Sequence, residues 1–375
     1  VLSAYGEAVA RAIAEVSALE IDDVTRSVRF APEGEPSSVD LALESLSEAL
    51  AARVFSDERS VYFLAERFYA LVAPFQTVRD DVPLGELQAR WIGESEGALF
   101  VSAEAASELQ ASLGLFGAQI VAPEEMLSRL AAQPGSLGIL PFDQLDPRYK
   151  AMTVGGVNVL SNDLDPSDYP LALALLLRGA EAPAVGEALA PYFQELNNRD
   201  PAKLTTLIMT GVTAMSRMTA KRMEEHGTLY PALIISDVLR ATDITHVNNE
   251  VPFIKGCKVN LTPKNLIFCS DYDYWDALEA IGTDIVGLSG NHVNDLGLDG
   301  ARESLAFYRH HKIAIYGGGD DLDQACAPLI LEDHGNKLAF MATIAWGPEE
   351  AWATESTPGN CPFYQQRGRI ERRLS

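Results

Sequence analysis

Three apolar runs in the second half of the chain break off in the same way. Leu207-Ile208-Met209 gives way to Thr210-Gly211-Val212-Thr213, Ile244-Thr245-His246-Val247 to Asn248-Asn249-Glu250, and Ile285-Val286-Gly287-Leu288 to Ser289-Gly290-Asn291-His292. Short apolar runs separated by enough chain for a helical crossover read as strands buried on both faces, the pattern of a parallel sheet. In an open parallel sheet the carboxyl ends of the strands border the ligand crevice. This one pattern therefore predicts both an α/β fold and the place where polar side chains gather. The first of these strands is expected over 204–209, buried. Side chains alternate along a strand, so His246, Asn248 and Glu250 share a side if the second strand runs that far.

The same rhythm continues downstream. Asp299 can cap a helix on which Ala301, Leu305 and Tyr308 share a face. Residues 313–316 read as the next strand, ending in Gly317-Gly318-Gly319, and a short helix carries Leu322 and Ala325. His334-Gly335-Asn336, between apolar runs at 329–331 and 338–341, is a hairpin signal.

The first half is rich in Ala and Leu. Leu43, Leu46, Leu50 and Val54 recur at helical spacing, and Pro123 followed by Glu124 and Glu125 opens a helix that ends before Gly135. Strand-like runs lie between such helices, at 69–73, 98–101, 138–140 and 157–160. The first half is therefore α/β as well. It holds no Gly-rich phosphate loop and no nucleophile elbow. The polar segment 191–203 carries two prolines together with its approach and reads as a linker, leaving domains at 1–190 and 204–375. A chain of 375 residues, 47% of them apolar, supports two such cores.

The formal charge of −24 is uneven: −17 over residues 1–190 and −7 over 191–375. So acidic a surface repels phosphate backbones, which argues against a nucleic acid partner. No apolar run is long enough to span a bilayer. The chain opens on Val1 and closes on RGRIERRLS, which reads as the start of a helix, so it is taken as a piece of a longer protein. Oligomeric state leaves no trace in the pattern. The four cysteines, Cys257, Cys269, Cys326 and Cys361, form no CxxC and argue against a zinc knuckle. Cys257 and Cys269 bracket a short polar loop and could pair in an oxidising compartment; four buried thiols is the equal alternative.

Amide, imidazole and carboxylate groups at strand ends suit a divalent transition metal such as manganese, zinc or iron. Two such ions can hold a phosphoryl group and activate a water. In that reading Asn248, Glu250, Asn291 and His292 are metal ligands. Glu250, Asn291 and His292 carry the chemistry, with His292 as ligand or proton donor and Asp295 orienting it from behind. The plainer reading is that Asn291-His292 caps the turn after Gly290, that Glu250 is a solvated charge, and that Asp295 caps the Leu296-Gly297 turn. His246 is expected to be a packed strand histidine, and Thr210 and Thr213 to satisfy backbone groups. The glycines 317–319 form a tight turn or cradle an anion. His226, His310, His311 and His334 are read as surface residues.

Two resemblances extend this. YALVAPFQTVRDDVPLGELQARW, GSLGILPFDQLDPRYKAMTV and DYPLALALLL resemble the type-2 periplasmic solute-binding fold of the phosphate-binding kind, over residues 55–180. TGVTAMSR, HVNNEVPF and the run from LSGNHVNDLG to KLAFMAT resemble the bacterial capsule-synthesis, or poly-γ-glutamate-synthesis, CapA-like family, over 204–345. Asn248 and Glu250 match its N-x-E, and Asn291, His292, Asp295 and Gly297 its N-H-x-x-D-x-G. Gly317 to Gly319, Ala325 and Pro328 match a fourth motif, and Gly335, Lys337, Ala339 and Phe340 a fifth. The resemblance implies a calcineurin-like metallophosphatase α/β sandwich, incomplete at its C-terminus, and a cell-envelope role in making or anchoring an anionic polymer. It implies a metal-dependent hydrolase or transferase acting on that polymer or on a small-molecule ligand. Two departures from the family pattern stand out: a later His-rich motif is missing, which a truncated chain explains, and Val212 stands where the family has an aspartate, which truncation does not explain and which counts against the enzyme. A non-catalytic ligand-binding envelope protein with a degenerate metal site is the alternative.

Overall fold

The computed structural model describes residues 18–21, 24–27, 39–45, 61–114 and 117–374. The chain divides into two compact units, Val1–Ala202 and Lys203–Ser375.

The first unit is built on one long strand, Val61–Pro74, whose stretch from Tyr69 to Ala73 is wholly buried. It pairs antiparallel with Ala172–Arg178 and with Leu137–Pro141. Leu99–Val101 and Gln119–Ile120 continue the sheet in parallel, and Asp40–Ser45 closes the other edge. The helix Pro123–Ala132 begins on its proline, carries Glu124 and Glu125 in its first turn, and buries Met126 and Leu130. Proline costs nothing at this position, where its missing N–H has no intrahelical partner.

Three segments depart from expectation. Leu43 lies in a strand, in register with Leu175, so pairing along the sheet edge overrides its helical spacing; Leu46, Leu50 and Val54 lie outside the described residues. Residues 157–160 form a turn rather than a strand. Gly155 and Gly156 both take positive φ (59° and 83°) and reverse the chain, leaving Val157 a single bridge to Val154. Residues 191–203 are not a free connector. The helix Ala182–Phe193 runs into them, and Asn198 clasps the long strand, accepting from Phe68 N and donating to Phe68 O at 2.8 Å each.

The second unit contains a four-stranded parallel sheet in chain order: Leu207–Val212, Ile244–Asn248, Ile285–Gly287 and Ala314–Tyr316. All four carboxyl ends face one edge. The first strand lies later than expected and is an edge strand, not a buried one: Met209 and Val212 are 58% and 57% exposed, having a neighbour on one side only. The second strand stops at Asn248, two residues short of Glu250. The helix Gly297–His310 buries Ala301, Leu305 and Tyr308, with Asp299 in its first turn rather than at the cap. Tyr308 packs with Phe253, Trp275 and Phe307 in an aromatic core. The hairpin of Leu329–Asp333 and Asn336–Phe340 turns through His334 and Gly335, at φ 47° and 78°, the paired positive values that match strand twist. Cys257 is bonded to Cys269, and Cys326 to Cys361; no cysteine is free. The reading of four thiols fails, and the second bridge had no sequence signal. No described helix is long and apolar enough to cross a membrane.

Candidate site at the carboxyl ends of the parallel strands

Asn248 closes the second strand and sends its amide toward Ser289 O, 3.4 Å away, in the loop that follows the third strand. Asn249 faces the core. Its N–H bonds Gly287 O at 2.8 Å, and its side chain donates to Tyr308 Oη at 2.8 Å. That anchorage pins the chain direction, so Glu250 emerges beside the 289–292 loop. The Glu250 carboxylate accepts Asn291 N–H at 3.0 Å. The contact depends on glycine at 290, because a Cβ there would lie 1.9 Å from Glu250 Oε2 and 2.2 Å from Glu250 Cβ.

Asn291 connects this carboxylate to the imidazole. Its backbone N–H goes to Glu250 and its side-chain Nδ2 meets His292 Nε2 at 3.0 Å. The other ring nitrogen, Nδ1, lies 2.8 Å from Asp295 Oδ2. With Nδ2 donating to Nε2, the ring proton sits on Nδ1 and is donated to Asp295. Asp295 Oδ2 also accepts Phe268 N–H at 2.7 Å, and the Phe268 ring stands 4.4 Å from the imidazole. Asp295 therefore does two jobs, holding the His292 tautomer and tying down the Cys257–Cys269 loop.

Asn248 and Glu250 thus each contact the backbone of the loop that carries Asn291 and His292. Val212 pairs in register with Asn248, so hydrocarbon borders the site on the first strand. His246 is packed as expected, with Nε2 2.8 Å from Tyr316 Oη, and burial lowers its pKa. Thr210 and Thr213 Oγ1 donate to the carbonyls of His246 and Asn248 at 3.1 Å each. Sequence reasoning missed Asn294 and Asn360, which lock the loop from the far side. Asn360 donates to Gly290 O, and Asn294 to Pro358 O at 3.0 Å. Their targets are backbone carbonyls, which leave no mark in a sequence.

The donor set does not fit a two-ion centre. It offers one carboxylate, one imidazole and two amides; Val212 supplies nothing. Both imidazole nitrogens are already committed, to Asp295 and to Asn291. Among the described residues, the three His, Cys, Asp or Glu groups close enough to share an ion are Asp243, Asp333 and His334, within 4.8 Å. They lie at the amino end of the second strand and in the hairpin, where Asp243 caps Thr206 and Asp333 accepts from Thr205.

Residues 206–371 match the family model described as bacterial capsule synthesis protein PGA_cap. The capsule biosynthesis protein CapA of Bacillus anthracis is 24% identical over 190 residues, a match covering 50% of this chain and 45% of that protein. The chain thus spans under half the length of that curated relative. Solved structures similar in part include an ABC-type phosphate transport receptor from Vibrio cholerae (13% identity, 42% of this chain and 74% of that one, TM-score 0.33). PstS from Borrelia burgdorferi is another (10% identity, 40% and 72%, TM-score 0.31). By the match over residues 206–371, the second unit is similar to the bacterial capsule synthesis family.

Proposed function

We propose that this chain serves capsule or poly-γ-glutamate biosynthesis at the cell envelope, and that the loop bearing Asn291 and His292 is where the second unit engages the polymer or its precursor. The observation that carries the reading is Asn291, which joins Glu250 to His292 while Asp295 holds the ring from behind. A carboxylate-backed imidazole in a fixed tautomer is a proton-transfer device. When Asn291, an exposed side chain, swings away, His292 Nε2 presents a lone pair to a ligand at the strand ends, and Glu250 supplies an anion beside it. The parallel sheet with its polar carboxyl edge supports a metallophosphatase-like origin, but the donor set does not, so no step runs through a metal. Two disulfides agree with an oxidising compartment outside the cytoplasm. We read the first unit as a solute-binding-like accessory to the same process.

Val212 favours a second reading, in which the site binds but no longer turns over. One set of variants separates the two. In a capsule-forming host, Glu250→Gln and His292→Ala should each reduce surface polymer severalfold at unchanged protein level; unaltered polymer in both would overturn the role of the site. Purified chain incubated with the host's polymer then distinguishes hydrolysis or transfer, lost in His292→Ala, from binding alone.

A further inference from the structure

We propose that the cleft between residues 272–280 and the helix Gly297–His310 binds an aliphatic polyamine. It encloses a cavity of about 530 Å³, within the range of about 300–1,000 Å³ usual for small-molecule sites. Asp273, Asp276 and Glu279 recur at three-residue intervals along one wall, and Glu303 stands on the other. No lysine or arginine lines the cavity, and among the described residues no ion pair joins any of these four carboxylates. Asp276 accepts from Thr228 Oγ1 at 2.9 Å, and Glu303 from Tyr272 Oη at 3.1 Å and from Lys255 N–H at 2.8 Å. These donors are neutral, so they orient the carboxylates without cancelling their charge.

The same cavity has an aromatic wall. The rings of Tyr272 and Phe307 stand 4.4 Å apart, and the His311 ring lies 4.4 Å from Phe307 and 4.6 Å from Trp275. Trp275 and Phe307 are largely buried, whereas Asp273, Asp276, Glu279 and Ala306 are exposed. Rings and carboxylates along one cleft suit a guest that is cationic and apolar on the same chain. Its ammonium groups are attracted by carboxylates and by aromatic faces, while its methylenes cover ring surface. A metal ion does not fit. Among the described residues, the three groups close enough to share an ion are Asp243, Asp333 and His334, none of which lines this cleft. Carboxylates set roughly a helical turn apart, ~5 Å, favour several ammonium groups on short methylene spacers over a single one. The cleft uses none of Asn248, Glu250, Asn291 or His292, so the inference does not rest on the role proposed for that loop.

Calorimetric titration of the full chain with spermidine tests this, in about 0.15 M sodium chloride to screen the acidic surface. One saturable site is expected, and equimolar magnesium chloride should not displace the ligand. Glu279→Gln combined with Asp276→Asn removes two charges from exposed positions and should weaken binding at least about tenfold. Ala306→Lys sets a cation of the chain's own in the cleft and should weaken binding as much. That position is exposed on a helix and both residues are good helix formers, so the fold is kept, as an unchanged melting temperature without ligand would verify. No saturable binding in the wild type, or its loss to equimolar magnesium, would reduce the cleft to a stretch of acidic surface and overturn the inference. Undiminished binding in both variants would place the polyamine elsewhere and overturn it too. A lysine-rich peptide that binds more tightly than spermidine would assign the cleft to basic side chains of a protein partner and overturn the polyamine assignment.

Discussion

At the scale of single residues, the site rests on an absence of side chain. Gly290 has no positive φ, so its requirement is space: a methyl there collides with Glu250 at Cβ as well as at Oε2. The Cβ contact is not relieved by rotating the far end of a side chain, so the backbone must move. Gly290→Ala should cost about 1–3 kcal/mol in urea unfolding, in the range of overpacked sites. A variant as stable as wild type would show that loop and carboxylate are not in contact. His246 supports a second residue-scale prediction. Its native pKa is lowered by burial, so below the ordinary histidine value of about 6.5 the unfolded chain takes up a proton the native state refuses. Stability should therefore fall as pH drops from about 6.5 toward 5, and His246→Asn should flatten that slope. His311, also lowered by burial, contributes in the same direction, while Glu66, raised by burial, opposes it at the acid end. The difference between wild type and variant is thus the readout, and equal slopes would contradict the assignment. These residues also mark how far a sequence can be read. Asn248, Glu250, Asn291 and His292 stood out because polar side chains ended apolar runs. Their joint geometry was not legible, because it runs through Asn291 N–H, Phe268 N–H and Gly290 O.

At the scale of elements, strand cores were legible and strand limits were not. Apolar runs located all four strands of the parallel sheet, yet Leu207–Val212 is an exposed edge and Ile244–Asn248 ends before Glu250, because termini and sheet position depend on neighbours distant in sequence. The two disulfides differ in the same way. Cys257–Cys269 closes a loop of sequence separation 12 and could be suspected; Cys326–Cys361 spans 35, pins the short helix Leu322–Ala325 against the strand Gly359–Asn360, and could not. By loop-closure entropy the longer bridge contributes roughly 4 kcal/mol and the shorter about 3. Cys326 and Cys361 are fully buried, whereas Cys257 and Cys269 are half-exposed. Mild dithiothreitol should therefore open Cys257–Cys269 first, as mapped by timed alkylation and peptide mass. Replacing Cys326 and Cys361 by serine should destabilise more than replacing the other pair. Simultaneous labelling of all four thiols would argue against a protected second bridge.

At the scale of the molecule, the two units own separate cores. One is organised around Val61–Pro74 and Ala172–Arg178; the other joins the parallel sheet to an aromatic cluster and to a small group around Cys326 and Cys361. Separate cores melt as separate cooperative units unless their interface is large. All four cysteines belong to the second unit, so reduction removes cross-links from one core and none from the other. Calorimetry of the full chain should show two transitions, and full reduction should lower only one. Loss of the longer bridge alone, at about 4 kcal/mol in a unit of this size, should shift that transition by roughly 8–16 °C. A single transition, or two that move together on reduction, would mean that the units stabilise one another and that the site cannot be treated as a property of residues 203–375 alone.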